Sequence, residues 1–207
     1  YLPEMEVIES DILREAQHAA DSVDFNAFTE LDVKAALMRK HKTVQDFAAL
    51  LSPAALPFLE EMAQQARQLT FKWFGTARSI FTPLYLANYC ENYCVYCGFN
   101  CHNKINRLKL DEDGMEREMQ AIAATGLREI LLLTGESRSM SGVEYIASAV
   151  RLARKYFAVV GLEVYPLNSD EYTYLHECGA DYVTVFQETY DEKVYATLHP
   201  SGPKSNF

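Results

Sequence analysis

Residues 129–134 read Glu-Ile-Leu-Leu-Leu-Thr, with four apolar side chains in succession. A strand that alternated between core and solvent would carry a polar residue at every second place. An unbroken run this short, bounded by polar residues and Gly135, predicts a strand buried on both faces, which occurs where helices cover a parallel sheet. Its neighbours keep the same rhythm. Strands are predicted at Ser79–Leu86, Val159–Tyr165 and Tyr182–Phe186. Helices are predicted between them, from Asp111 to Ala124, from Val143 to Tyr156 and from Ser169 to Cys178, and a further one begins at Asp191 and runs to about Leu198. Short connections of this kind make right-handed crossovers and a parallel sheet.

Residues 1–78 have a different character and are expected to form a helical segment preceding the α/β part at 79–207. A polar helix is predicted from about Glu4 to Ala20, with Pro3 at its first turn, and a connection from Asp21 to Asn26. Thr29 is the expected N-cap of a second helix, with Asp32 completing a capping box. That helix ends near Lys40, in the basic cluster Arg39-Lys40-His41-Lys42, which suits a helix C-terminus. Thr43 caps a third helix that ends near Leu51. Ser52-Pro53 reads as an N-cap followed by Pro at the first helical position. From there Leu56, Leu59, Met62, Ala63, Ala66, Leu69 and Trp73 form one apolar stripe of a five-turn helix stopped at Gly75. The segment is expected to be a helical cap on the α/β part.

In parallel βα folds the chemistry gathers at the C-terminal ends of the strands. Four polar segments fall there: the loop from Tyr89 to Cys101, Thr134-Gly135-Glu136, Glu163-Val164-Tyr165, and Gln187-Glu188-Thr189-Tyr190. The first holds four of the five cysteines. Cys90, Cys94 and Cys97 are spaced C-x3-C-x2-C, with Tyr96 before the last. Three thiolates on one short loop suit an iron–sulfur cluster. A zinc site using Cys101 as fourth thiolate is the alternative, although structural zinc more often takes two separated cysteine pairs. Buried or redox-active thiols are a third reading. Cys101 and Cys178 are read as a spare thiol and a small apolar residue.

An odd, clustered cysteine count with no export signal does not resemble a disulfide framework, so a reducing cytoplasm is expected. The formal charge of −10 argues against a nucleic-acid surface, and no apolar run reaches the length of a membrane span. His102, His176 and His199 form no ligand spacing and are expected in loops or on the surface. The stretch Leu198–Phe207 is expected to close nothing.

The C-x3-C-x-aromatic-C loop after the first strand of a βα fold resembles the radical S-adenosylmethionine (SAM) superfamily. Longer runs resemble its tyrosine-cleaving branch, the pattern of the 2-iminoacetate synthases of thiamine biosynthesis. These are Pro83–Cys90, Cys97-Gly98-Phe99 with Asn103 and Arg107, Leu132–Glu136, Glu163–Leu167 and Phe186–Tyr190. The resemblance implies a partial TIM-like barrel, a [4Fe–4S] cluster on Cys90, Cys94 and Cys97, and SAM bound at the open iron. It places Thr134-Gly135-Glu136 at the SAM ammonium, with Thr where Gly is commoner, and Tyr96 near the adenine. Glu163, Tyr165 and Gln187 become contacts of SAM or substrate; by alternation Glu188 is expected on the opposite face if its strand extends that far. Asn103 and Arg107 either orient the cluster loop or bind a carboxylate.

The implied reaction removes a hydrogen from bound L-tyrosine through a 5′-deoxyadenosyl radical. It then breaks Cα–Cβ to give 2-iminoacetate and p-cresol. The implied partners are thiazole synthase and a reductant such as flavodoxin or ferredoxin. Three alternatives stand beside it: the sister tyrosine lyase of hydrogenase cluster maturation, a radical SAM enzyme with another amino-acid substrate, and a non-catalytic zinc or iron–sulfur module. Four strands cannot close a barrel, and the chain begins with Tyr1 rather than Met, so it is expected to be part of a longer protein and not active alone.

Overall fold

The computed structural model describes residues 10–207; Pro3 and the first turns of the predicted leading helix lie outside them. The chain divides into two compact units, with the boundary in sequence between Arg78 and Ser79.

The first unit is helical: α1 (Ile12–Asp21), α2 (Glu30–Met38), α3 (Val44–Leu51) and α4 (Leu59–Phe74). Thr29 and Thr43 each accept from the backbone three residues on, while Asp32 and Asp46 accept back from the cap N–H. Both are complete capping boxes. The basic cluster works through Lys42, whose Nζ donates to the carbonyls of Ala36 (2.8 Å) and Arg39 (3.1 Å) at the end of α2. Val33, Leu37 and Ala55 form the small core, with Leu50, Phe58 and Met62 packed on it.

The predicted five-turn helix from Ser52 is corrected. Residues Pro53–Phe58 form a 3₁₀ turn, and α-helix begins only at Leu59. Pro57 explains the delay, since it has no N–H to give and its ring crowds the carbonyl four residues back. Ser52 does not cap with its side chain; its hydroxyl donates to the Ala49 carbonyl at 2.7 Å. The predicted stripe is also exposed at Leu56, Leu59, Leu69 and Trp73, and α4 has no fully buried residue.

The second unit is β1 (Phe81–Ala87), α5 (Glu112–Ala124), β2 (Glu129–Thr134), α6 (Val143–Ala153), β3 (Val159–Glu163), α7 (Ser169–Cys178), β4 (Tyr182–Thr184) and α8 (Glu192–Leu198). The four strands are parallel in the order β1-β2-β3-β4. The sheet is open, as a partial barrel must be. Ile130 and Leu132 of β2 are fully buried and Leu131 and Leu133 nearly so, as the apolar run predicted. The core joins them to Met115 and Met119 of α5, to Ile146 and Val150 of α6, and to Leu175 of α7. The strands β3 and β4 stop two residues sooner than expected. The helix α7 keeps its predicted bounds, and Asn168 caps it in a capping box with Glu171.

Two details aim the loop after β1. The β1–β2 register slips between Tyr85 and Ala87, a bulge that re-aims the strand end. The return of the loop then pairs with that end, with Asn88 N–H donating to Leu108 O (3.1 Å) and Leu110 N–H to Leu86 O (2.9 Å). The Tyr145 hydroxyl from α6 lies within hydrogen-bond distance of both Leu86 O (2.9 Å) and Leu110 O (2.8 Å). The cysteine loop is therefore pinned at its base to the sheet and to a core helix.

A candidate metal and cofactor pocket

Arg107 organises the interior of the cysteine loop. Its guanidinium donates to the carbonyls of Asn88 (2.6 Å), Phe99 (2.8 Å) and Asn100 (2.7 Å). A planar fork with several donors suits three diverging carbonyls. Of the two roles open to Arg107, orienting the loop is the one its bonds serve here. Asn103 works alongside it, donating to Gly98 O at 3.1 Å. Buried Asn100 accepts from the N–H groups of His102 (3.0 Å) and Asn103 (3.1 Å) and donates to Cys97 O (3.0 Å). The Phe99 N–H donates to Cys97 Sγ at 3.4 Å.

The end of β2 braces the loop from one side. Gly135 N–H donates to Ala87 O (3.0 Å), and a side chain at Gly135 would place its Cβ 2.3 Å from Tyr89 O. The close approach that needs glycine is thus to the cysteine loop itself. Glu91 N–H donates to Glu136 O (2.8 Å), and Asn92 Nδ2 to Glu136 Oε2 (2.6 Å). Burial pushes the Glu136 carboxyl up, while the Asn92 bond and Lys204 oppose it.

Residues 198–204, expected to close nothing, close the other side. Val95 N–H donates to Leu198 O (3.0 Å) and Tyr93 N–H to Ser201 O (2.9 Å). Lys204 N–H donates to Asn92 Oδ1 at 2.7 Å. Gly202 has φ +95°, and a Cβ there would meet Asn92 Cα at 2.6 Å. His199, expected in a loop or at the surface, lies just past α8 in a loop and is 1% exposed. It can be buried because both ring nitrogens are bonded, Nδ1 to Tyr195 O (3.0 Å) and Nε2 to the Tyr96 hydroxyl (2.7 Å). A carbonyl only accepts, so Nδ1 donates to Tyr195 O, and Nε2 shares its hydrogen bond with the Tyr96 hydroxyl.

These elements enclose a cavity of about 980 Å³ at the C-terminal ends of the strands. Cys90, Cys94 and Cys97 line it, with Tyr96, Thr134, Gly135, Glu136, Glu163, Tyr165 and Gln187. The candidate residues from four separate segments therefore share one space. Cys94 is buried, Cys90 and Cys97 half-buried, and Cys101 is exposed and outside the lining. Among the described residues no three His, Cys, Asp or Glu side chains converge as they would around a single ion. The three thiols line the one cavity. Thr134 Oγ1 is a buried side-chain oxygen without a hydrogen-bond partner, the only one among the described residues. A group bound in the cavity would satisfy it. The donor set, the orphaned hydroxyl and the half-buried carboxylate of Glu136 together fit a cluster and a cationic ligand.

The remaining wall differs in detail from expectation. Tyr165 is buried and donates its hydroxyl to Ser141 O (2.7 Å), so it is a wall rather than a free hydrogen-bonding group. Glu163 is pushed up by burial and by nearby Glu188. Glu188 lines the same cavity as Gln187 rather than the opposite face. The reason is that β4 has ended and Glu188 turns the backbone at φ +73°. The Glu188 carboxylate lies 2.9 Å from Lys204 Nζ. Burial would raise Glu188, but the Lys204 contacts outweigh it and hold it below the usual carboxylate range. Burial also pushes the Tyr96 hydroxyl up. Asn92, His199 and Lys204 went unpredicted; the only local signal was the turn-forming run His199-Pro200-Ser201-Gly202-Pro203.

Residues 84–207 match the sequence pattern of the radical SAM superfamily. The chain belongs to that superfamily. Its members bind a [4Fe–4S] cluster and SAM. The chain is 43% identical to the 2-iminoacetate synthase of Salmonella typhimurium over 88% of its own length and 48% of that protein's. It is 31% identical to the 3-methylornithine synthase of Methanosarcina acetivorans, over 74% of this chain and 44% of that one. The crystal structure of HydG, a maturase of the [FeFe]-hydrogenase, superposes with a TM-score of 0.80 at 27% identity, covering 96% of this chain and 45% of that one. The chain spans about half the length of the relatives it matches. The radical SAM part is the open half-barrel described above. No helix among the described residues is long and apolar enough to cross a membrane.

Proposed function

We propose that this chain is part of a tyrosine lyase of the 2-iminoacetate synthase type, which breaks the Cα–Cβ bond of L-tyrosine to give 2-iminoacetate and p-cresol for the thiazole of thiamine. The observation that supports it best is the shared cavity: three cysteines, a half-buried carboxylate and an orphaned hydroxyl on one side, and polar strand ends on the other. When bound, the reduced [4Fe–4S] cluster and SAM supply the hydrogen-abstracting radical. The chain's own residues hold and shield it. Cys90, Cys94 and Cys97 are the cluster ligands in this reading, and Glu136 accepts the SAM ammonium beside Gly135. Tyr96, latched to His199, stands at the adenine. Glu163, Tyr165 and Gln187 form the wall facing the substrate, and the strand ends cover one side of the radical against water and other hydrogen donors. Thiazole synthase and a flavodoxin or ferredoxin are the partners proposed with it, and the cytoplasm its compartment.

A second reading is favoured by the HydG superposition: the sister tyrosine lyase of hydrogenase cluster maturation. The test is turnover by the full-length protein, reconstituted anaerobically, with SAM, tyrosine and a reductant. Release of p-cresol with accumulation of 2-iminoacetate, trapped as glyoxylate, supports the thiamine reading. Release of p-cresol while the remaining fragment is consumed supports the sister. No p-cresol under conditions where SAM is cleaved sinks both. About four irons and no zinc per chain would in addition set aside the zinc module.

A further inference from the structure

About one residue in seven of the chain is acidic, yet residues 92–110 hold no Asp or Glu. They hold Lys104, Arg107 and Lys109. In a chain of formal charge −10 this is a local reversal of sign. Folding does not neutralise it. Arg107 directs its donors at backbone carbonyls, and Lys109 lies over the Tyr145 ring at 4.3 Å. Among the described residues no ion pair joins any of the three to a carboxylate.

The stretch turns this charge outward. Residues 101–106, Leu108 and Lys109 are exposed, and no residue from 100 to 110 lines the cavity. Two apolar side chains stand among the charges, Ile105 at 39% and Leu108 at 61% exposure. The same stretch is bonded to a candidate cluster ligand. Asn100 Nδ2 donates to Cys97 O at 3.0 Å, and Asn103 Nδ2 to the same oxygen at 3.3 Å. One short segment therefore joins the cysteine loop to a basic, partly apolar surface.

A cluster that cleaves SAM has to receive an electron, and a protein that delivers it must bring its redox centre close to the cysteine loop. An acidic carrier is repelled by most of this chain and attracted only where the sign reverses. Opposite charge speeds encounter and fixes orientation. We propose that residues 101–109 are the docking surface for a small acidic protein carrying a one-electron redox centre. Lys104 and Lys109 meet its carboxylates, and Ile105 and Leu108 meet apolar surface beside its redox centre. The carrier loses one electron and the cluster gains it, with the Asn100–Asn103 turn on Cys97 between them. This rests on the radical SAM reading of the chain and not on tyrosine as its substrate.

The test uses the full-length protein, reconstituted anaerobically, with an acidic flavodoxin as the probe. Two quantities are read: the affinity for oxidised flavodoxin, and the rate at which photoreduced flavodoxin reduces the cluster. The second is compared with the rate given by photoreduced deazaflavin, a small uncharged reductant with no protein surface. In Lys104→Glu the affinity and rate with flavodoxin should fall about 10-fold at low ionic strength, while the rate with deazaflavin stays within about twofold. Parent and variant should converge in about 0.5 M salt, where charges are screened within a few ångströms. Leu108→Ser should weaken flavodoxin at every salt concentration, since its contribution is not electrostatic. A flavodoxin with a surface Glu changed to Lys at its docking face should bind the Lys104→Glu protein better than it binds the parent, a rescue that a merely disturbed loop cannot give. Equal loss with flavodoxin and deazaflavin would make Lys104 a support of the cluster and overturn the proposal. So would an unchanged flavodoxin affinity, or a loss confined to another partner such as thiazole synthase. None of these readouts needs p-cresol, so an enzyme that acts on another amino acid would sink the tyrosine reading and leave the docking surface to be judged by the same ratios.

Discussion

Gly135→Ala should dislodge the cysteine loop while leaving the fold of the sheet intact. The added Cβ would lie 2.3 Å from Tyr89 O, 2.9 Å from Tyr89 C and 3.1 Å from Cys90 Cβ. Favourable separations are about 3.5–4.0 Å, so the loop must retreat by roughly 1 Å or more. A flexible side chain could turn away, but Tyr89 O belongs to a peptide plane. That plane is held from both sides, by Gly135 N–H on Ala87 O and Glu91 N–H on Glu136 O. Overpacking of this kind costs about 1–3 kcal/mol, and rigid neighbours put the change at the upper end. For a domain of this size each kcal/mol is worth roughly 2–4 °C, so the melting temperature should fall by about 4–12 °C. The displacement acts directly at Cys90, so iron bound after anaerobic reconstitution should fall to about half or less. Gly98→Ala is the matched control, since nothing lies within 4 Å of its added Cβ; its stability should stay within about 0.5 kcal/mol of the parent. A Gly135→Ala protein that melts with the parent and takes up the same iron would refute the reasoning.

Arg107→Ala should lower iron–sulfur loading, and Arg107→Lys should restore only part of it, because one ammonium cannot reach three diverging carbonyls; absorbance near 400 nm after reconstitution measures this. Cys101→Ala should load iron like the parent, whereas Cys94→Ala should not, and equal loss in the two would make Cys101 a ligand. Glu171→Gln should cost about 1–2 kcal/mol at neutral pH, between the values for exposed and buried pairs, since Arg138 meets both carboxylate oxygens (2.7 and 3.1 Å). The Arg138 hydrogen bond, with the Asn168 N–H, holds Glu171 below its usual pKa against burial. Its stabilisation is therefore complete above the unfolded value of about 4.3 and is lost as pH falls through the lower folded value. Melts of parent and variant should converge in acid and stay apart above pH ~5; a gap that widens in acid would contradict it.

The parts legible in the sequence are those set by local pattern. The buried strand at Glu129–Thr134, the threonine capping boxes and the order of strands and helices all follow from residues near each other in the chain. The helix over Leu59–Phe74 shows the limit of periodicity. Its spacing is helical, yet Pro57 sets the start and the stripe is left exposed. The cysteines and the Thr134-Gly135-Glu136 turn were legible as chemistry. What braces them was not. Asn92, His199 and Lys204 act across about a hundred residues of sequence, and nothing in the spacing of a lone Asn, His or Lys announces such a partner. The opposite-face reading of Glu188 required the strand to reach it, and β4 ends at Thr184.

The antiparallel bridge between Tyr93 and Ser201 has a consequence for the order of assembly. At about 5–20 residues per second of synthesis, the chain out to Lys204 follows Cys97 by roughly 5–20 s. Through that interval the loop has its Arg107 clamp and, later, the end of β2, but not residues 198–204, so Cys94 lacks the cover that buries it. The thiols stand open to oxygen and to stray metal ions for as long as the ribosome takes to travel three strands.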